Sequence, residues 1–186
     1  MMSMIAPGAN GITRYAHLIR TRKYVAVISM DNRGGSFFSV TGWSTFIDRK
    51  NATPEWIGEN LRRALETSRD LFMEWGGYPL PQDKIDAEKK KSGPLFHEFW
   101  EKVREKYGFK EARDARCKSA LVFINWECEQ TDQVRFAASK GRGTSHSAWY
   151  TNENEGKVFH ASFNASNEEF GEVALQALDV CRPNYL

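Results

Sequence analysis

The chain has 186 residues, of which 41% are apolar and 27% are charged, and its formal net charge is +2. This length and apolar content suffice for one sizeable core, whereas the nearly balanced charge argues against a dedicated nucleic-acid-binding protein, which usually carries a strong basic excess. No apolar run approaches the ~20 residues of a membrane span, and residues 1–10 lack the pattern of a signal peptide. The three cysteines, Cys117, Cys128 and Cys181, form no CxxC pair, so we expect buried, reduced thiols and a cytoplasmic location.

The first predicted elements are strands. Residues 24–29 are rich in β-branched side chains, residues 32–35 supply turn-forming types, and residues 37–40 follow as a second strand. This order predicts a β-hairpin. Residues 43–47 either extend the second strand or begin a third one before the chain turns to helix.

The helix predicted next occurs twice in the chain. Residues 51–69 align without a gap to residues 164–182, with 8 of 19 positions identical. Thr53 and Ser166 stand where a hydroxyl N-cap accepts a backbone N–H, Pro54 suits the first helical position, and Glu169 completes a capping box in the second copy. Apolar and small residues then recur on one helical face, namely Ile57, Leu61, Ala64, Leu65 and Ser68 in the first copy and Phe170, Ala174, Ala177, Leu178 and Cys181 in the second.

Each copy also carries a glycine, Gly58 or Gly171, directly after its first large apolar residue. Glycine inside a helix costs about 1 kcal/mol relative to alanine. We therefore expect a close backbone approach at both positions. A phosphate-binding glycine at a helix N-terminus is the alternative interpretation, but it would need further glycines nearby.

The segment between the two copies has a different character. Residues 83–92 are strongly polar and follow two prolines, which predicts a linker. Residues 94–107 are amphipathic and predict a helix that ends at Gly108. Its apolar side contains Leu95, Phe99, Val103 and Tyr107, with Phe96 and Trp100 beside them.

The second half predicts four more strands, at residues 120–126, 134–138, 147–150 and 157–163, before the second repeat helix. Strands followed by a helix, twice over, favour an α/β (α+β) fold with a mainly antiparallel sheet and packed helices. We expect one domain over residues 1–186. It is built from two related strand–helix units, at about 22–75 and 118–186, joined by the linker and helix at 79–108.

Motifs that would indicate catalysis or a bound cofactor are incomplete. His97 lacks a second histidine four residues on, and His146 and His160 have no ligand partner at metal-binding spacing. Residues 140–144 resemble a phosphate loop only faintly and predict a hairpin turn instead. No nucleophile motif is present. We therefore expect no catalytic residue, no cofactor site and no metal site.

An acidic cluster surrounds Cys128, formed by Glu127, Glu129 and Asp132 with no basic residue among them. A solvated turn between two strands explains this cluster, and so does a surface that covers the basic cleft of a nuclease. The chain is also rich in aromatic residues, with six Trp, six Tyr and twelve Phe. Trp126, Trp149 and Tyr150 lie near predicted strand ends, where they either fill the core or anchor an interface.

The repeated helix and the segment between its copies resemble the contact-dependent growth inhibition immunity proteins (CdiI). The resemblance covers most of the chain from about Arg22 onward, and its motifs are structural rather than catalytic. The matching residues of the first helix are Glu55, Ile57, Gly58, Leu61, Ala64, Leu65, Ser68 and Arg69. Those of the centre are Tyr107, Gly108, Phe109, Lys110, Arg113, Arg116, Cys117 and Lys118. Those of the last helix are Glu168, Glu169, Phe170, Gly171, Ala177, Leu178, Cys181 and Arg182.

This resemblance implies a cytoplasmic, non-enzymatic protein that binds the C-terminal toxin domain of a partner CdiA effector, often a nuclease acting on tRNA or DNA. The expected toxin-binding residues are Glu127, Glu129, Asp132, Trp126, Trp149 and Tyr150. We expect neither direct nucleic-acid binding nor a membrane partner. The alternative is an RNA-binding or nucleic-acid-processing protein, which would require one surface formed by Arg113, Arg116, Lys118, Lys140 and Arg142.

Overall fold

The computed structural model describes residues 11–184, and the expectations for residues 1–10 lie outside this range. The first half contains β1 (Thr13–Arg20), β2 (Tyr24–Asn32), β3 (Ser36–Phe38), β4 (Ser44–Asp48), α1 (Pro54–Thr67) and the short α2 (Leu71–Glu74). The long α3 (Gln82–Tyr107) follows. The second half contains β5 (Ala120–Glu127), β6 (Gln133–Arg142), β7 (Ser145–Ala148), β8 (Val158–Ser162) and α4 (Asn167–Asp179).

The eight strands form one antiparallel sheet that is paired in the same way in both halves. In the first half β2 pairs with β1, β3 and β4, and in the second half β6 pairs with β5, β7 and β8. The two halves join through β1 and β5, with Thr13 opposite Glu127 and Arg20 opposite Ala120. The predicted α+β class with a mainly antiparallel sheet is confirmed, as is the turn predicted at residues 140–144.

Strand β1 was not predicted. Its sequence, TRYAHLIR, places arginine and histidine among the apolar residues, so it lacks the β-branched run that marks β2. With β1 included, each half has the order of four strands followed by a helix. The duplication therefore begins earlier in the chain than the sequence indicated.

Helices α1 and α4 cover one face of the sheet and bury the apolar faces predicted from the repeat. Ile57, Leu61, Phe170 and Leu178 share a core with apolar residues of β1, β2, β5 and β6. The predicted N-caps are also present: Thr53 Oγ1 accepts from the N–H of Trp56 (3.2 Å), and Ser166 forms a complete capping box. Burial of a large apolar side chain contributes about 1.5–3 kcal/mol, so this face outweighs the caps in stabilising both helices.

The two repeated glycines mark the place where α1 and α4 touch. A Cβ on Gly58 would overlap the backbone carbonyl of Asn167 at the start of α4. Reciprocally, a Cβ on Gly171 would overlap the carbonyl of Pro54 at the start of α1. The predicted close approach is confirmed, and it relates the two repeats symmetrically.

Helix α3 covers part of the opposite face of the sheet. Phe99, Trp100 and Val103 are buried against apolar residues of β1, β2 and β5. Tyr24 stacks on Tyr107, with 5.3 Å between ring centroids. Leu95, predicted to lie on this apolar side, is instead 37% exposed.

The predicted linker at residues 83–92 is wrong, because these residues form the first part of α3. The predicted helix start at Pro94 is also wrong, because Pro94 lies inside α3. Two features explain the longer helix. Lys, Glu and Ala favour helix, and Glu88 is anchored to Arg69 at the end of α1 (2.9 Å). Within residues 11–184, no helix combines the length and apolar character needed to cross a membrane.

Candidate functional site

The connection between β5 and β6 carries the three acidic residues. Glu127 ends β5, and Glu129 and Asp132 are exposed in the following turn. The Glu129 carboxylate accepts from the backbone N–H of Ile12 (3.2 Å). Asp132 accepts from Ser162 Oγ (2.6 Å), and this hydrogen bond holds the pKa of the Asp132 carboxyl below its ordinary value. Hydrogen bonds therefore hold two of the three carboxylates, those of Glu129 and Asp132, in position.

Trp126 lies directly beside this acidic turn. Its ring stacks on Phe163, with 4.0 Å between centroids and an interplanar angle of 11°. Its indole Nε1 donates to the carbonyl of Thr131 inside the turn (2.7 Å). Trp126 thus stabilises the turn through this hydrogen bond, and its side chain remains partly exposed.

Trp149 and Tyr150 lie toward the other end of β6, in a basic environment. The Trp149 ring has Lys157, Lys140 and Arg182 at 4.5, 4.9 and 5.5 Å from its centroid. Tyr150 is 68% exposed, with Lys140 Nζ 4.7 Å from its ring. The six residues predicted to bind the toxin therefore form two groups. One contains Trp126 and the three acidic residues, and the other contains Trp149 and Tyr150, which have basic residues around them.

The five basic residues of the alternative prediction are largely engaged within the molecule. Arg113 pairs with a neighbouring glutamate (2.8 Å), and Lys140 pairs with a glutamate in the turn after β7 (3.1 Å). Arg116 lines an internal cavity. Lys118 and Arg142 are exposed. The single basic surface that the RNA-binding alternative requires stays a prediction.

A basic cleft that the sequence did not reveal lies where the β1–β2 turn, the start of β5 and the C-terminal segment meet. Its basic lining residues are Arg20, Arg22, Arg49, Lys118 and Arg182. Asp179, also in the lining, pairs with Arg20 (2.8 Å). No local motif could have found this cleft, because its residues come from four separate segments.

The histidines lie in different environments, and two of them, His17 and His146, line one cavity. His97 and His160 are exposed. His146 Nε2 donates a hydrogen bond to the Ser119 carbonyl (2.8 Å). The three cysteines are free and half-buried, so their expected burial is only partial. In the described part of the chain, no three His, Cys, Asp or Glu side chains are grouped so as to hold a metal ion.

Comparison with known proteins gives one family and two similar structures. The profile of the family described as CDI immunity protein (CdiI) matches residues 14–181. A protein of unknown function from Neisseria meningitidis has a similar fold, with a TM-score of 0.72, 16% identity, and 97% of this chain and 100% of that chain covered. A CdiA-CT/CdiI toxin and immunity complex from Yersinia pseudotuberculosis also matches, with a TM-score of 0.72, 15% identity, and coverage of 92% and 98%. No curated protein sequence matches.

At such low identity the two structures establish the shared fold alone, whereas the family profile spans nearly all of the described chain. The profile begins in β1 and ends just after α4, so it includes both strand–helix units and the long helix between them. The chain therefore belongs to the CDI immunity protein (CdiI) family.

Proposed function

We propose that this protein binds and neutralises the C-terminal toxin domain of its cognate CdiA effector in the cytoplasm. It acts as a stoichiometric inhibitor and not as an enzyme. The observation that carries this proposal is the family match over residues 14–181. The similarity of the fold to a toxin and immunity complex supports it.

The toxin is proposed to be a nuclease, for example a tRNase, whose substrate-binding surface is basic. The acidic turn formed by Glu127, Glu129 and Asp132 has the complementary charge. Complementary charges steer association and exclude wrong partners more than they add raw affinity. Because hydrogen bonds and the Trp126 stack already fix this turn, little side-chain freedom is lost on binding.

Trp149 and Tyr150 are proposed to form a second contact with the toxin. Tyr150 is the more exposed of the two, and exposed tyrosine supplies a large contact area at low entropy cost. The surrounding lysines would meet acidic groups of the toxin there. Two contacts of opposite charge also define a single orientation of the partner.

Co-expression with the toxin domain encoded beside this gene tests the function. We expect cells to survive and the two proteins to co-purify. An unrelated CdiA toxin domain serves as the control and should remain lethal. Death of the cells despite a folded immunity protein, with no complex recovered, would overturn the proposal, and RNA binding would then be measured as a function of salt.

The acidic turn is tested by association kinetics of the double variant Glu127→Gln/Glu129→Gln, which leaves the structural carboxylate of Asp132 in place. We expect association to slow by about threefold to tenfold at low salt, with the difference shrinking as salt rises. The control, Glu59→Gln/Asp83→Asn, removes the same charge at two other exposed positions. Equal association rates for the two double variants would remove the turn from the interface.

A further inference from the structure

A cavity of about 280 Å³ lies between the sheet, α3 and the β6–β7 hairpin. Ile28, Leu121 and Phe123 form part of its floor, and Phe96 and Trp100 of α3 form one wall. Its size is at the lower end of the range for small-molecule sites, and its lining is mainly apolar with a few polar groups.

One arginine supplies the only full charge in this lining. Besides Arg116, the titratable lining residues are His17 and His146. Burial lowers the pKa of His17 to about 4, with a smaller contribution from His146. Burial also lowers the pKa of His146. Both imidazoles are therefore neutral near pH 7, and no carboxylate lines the cavity to balance Arg116.

The positive charge of Arg116 is not balanced by a carboxylate in the described part of the chain. Arg116 Nε is buried and unpaired, and its guanidinium forms no ion pair with any residue in 11–184. Because Nε is enclosed by protein atoms, the terminal nitrogens are the part of the guanidinium that a bound molecule can reach. The guanidinium lies 5.2 Å from the Phe96 ring centroid and 5.8 Å from that of Trp100.

Aromatic rings attract a cation, yet they do not accept the in-plane N–H groups of a guanidinium. A cation without a counter-ion in a mainly apolar lining favours the binding of an anion, because a charge-assisted hydrogen bond is about twice as strong as a neutral one. A carboxylate suits this position because its two oxygens match the planar guanidinium. A ligand with one negative charge balances the one positive charge of Arg116.

We propose that this cavity binds a small monocarboxylate with an apolar body, aliphatic or aromatic, whose carboxylate contacts the terminal nitrogens of Arg116. The apolar body lies against Leu121, Phe123 and Phe96. This site is independent of the proposed inhibition of a toxin, and binding there does not require the partner protein.

Calorimetric titration of the full chain with octanoate, 1-octanol and octylammonium tests the charge requirement. We expect octanoate to bind at one equivalent, the alcohol to bind about tenfold more weakly or worse, and the amine not to bind. Equal binding of octanoate and 1-octanol would overturn the proposal, and so would the absence of binding by both octanoate and 4-phenylbutyrate.

Three variants locate the carboxylate. Arg116→Gln should weaken octanoate binding about tenfold or more, and Arg116→Lys, which keeps the charge but loses the planar pair of donors, should weaken it about threefold. Arg113→Gln is the matched control, because Arg113 is exposed on the same segment, and it should leave binding unchanged. Wild-type affinity in Arg116→Gln would contradict the proposed contact.

The histidines give a readout that does not depend on mutation. His17 and His146 line the cavity, whereas His97 and His160 are exposed elsewhere. Octanoate should shift the ring NMR signals of the first pair and leave those of the second pair in place. Shifts of all four, or of the exposed pair alone, would place octanoate outside the cavity and overturn the proposal.

Discussion

Ser68 and Cys181 hold equivalent positions in the two repeats, and both tie the end of a helix to two strands. Ser68 Oγ accepts from the N–H of Tyr15 in β1 (3.0 Å) and donates to the carbonyl of Met30 in β2 (2.6 Å). Cys181 Sγ donates to the carbonyl of Leu121 in β5 (3.1 Å) and accepts from an N–H of β6 (3.4 Å). Burial raises the pKa of this thiol, so it keeps the proton it donates.

The next residues of the repeats, Arg69 and Arg182, have diverged in role. Arg69 donates to Asp31, whose side chain is 2% exposed, and to Glu88 of α3. Arg69→Gln removes the ion pair of the buried Asp31 carboxylate and leaves Glu88 with only Lys91 (3.5 Å), and we expect a loss of about 2–4 kcal/mol in the free energy of unfolding. Urea unfolding monitored by circular dichroism measures it. Arg182→Gln, at the exposed equivalent position, should cost less than about 0.5 kcal/mol. Similar losses in both variants would contradict the assigned role of Arg69.

The capping box of α4 makes stability depend on pH. Hydrogen bonds from Ser166 lower the pKa of Glu169 in the folded protein. A carboxyl with a lowered folded pKa stabilises the fold above its unfolded pKa, near 4.3, and this contribution is lost as pH falls through the folded pKa.

We therefore expect Glu169→Gln to lose less stability than the wild type between pH 7 and about pH 3, since glutamine still accepts the hydrogen bond but does not titrate. Thermal unfolding at a series of pH values measures the difference. Glu172→Gln, on the same helix, should follow the wild-type profile. If the stability of Glu169→Gln depends on pH as that of the wild type does, the charge of the Glu169 carboxylate does not contribute to the stability of the capping box.

At the scale of the elements, the crossing of α1 and α4 determines how the two halves fit together. Alanine at an unobstructed helical glycine stabilises by about 0.5–1 kcal/mol. At Gly58 and Gly171 the added Cβ would instead meet a rigid backbone carbonyl.

We expect Gly58→Ala and Gly171→Ala each to lower the free energy of unfolding by about 1–3 kcal/mol, because the helices must move apart. Gly93→Ala is the control for a helical position with nothing within 4 Å of the added Cβ apart from its chain neighbours; because alanine before Pro94 loses part of its helical advantage, it should change the free energy of unfolding by less than about 0.5 kcal/mol. Chemical denaturation of the three variants gives the signs. A stabilising effect at Gly58 or Gly171 would show that the helices separate at little cost.

The helices of the repeat could be predicted because their signals are local: caps, glycines and apolar spacing all lie within 19 residues. The first half of α3 could not be predicted in the same way. Its buried residues are few, and its attachment depends on Glu88 meeting Arg69, a contact made only in the folded chain. The strand β1 depends likewise on pairing with both β2 and β5.

For the whole molecule, two similar halves build one continuous sheet within a single domain, and the functional candidates lie where the halves differ. The acidic turn and Trp149 belong to the second half, and the long helix separates the two units. The sequence identified these residues but not their separation into two groups. The basic cleft and the cavity around Arg116 combine distant segments, so they became visible only in three dimensions.

The central claim is that the protein binds a cognate toxin domain. Calorimetric titration of the two purified proteins tests this binding most directly, and the toxin's activity is followed in the same samples. We predict a one-to-one complex with a dissociation constant of about 10 nM or tighter, and complete loss of toxin activity at one equivalent. A folded, active toxin domain that binds more weakly than about 10 μM, or that remains active within the complex, would contradict the account.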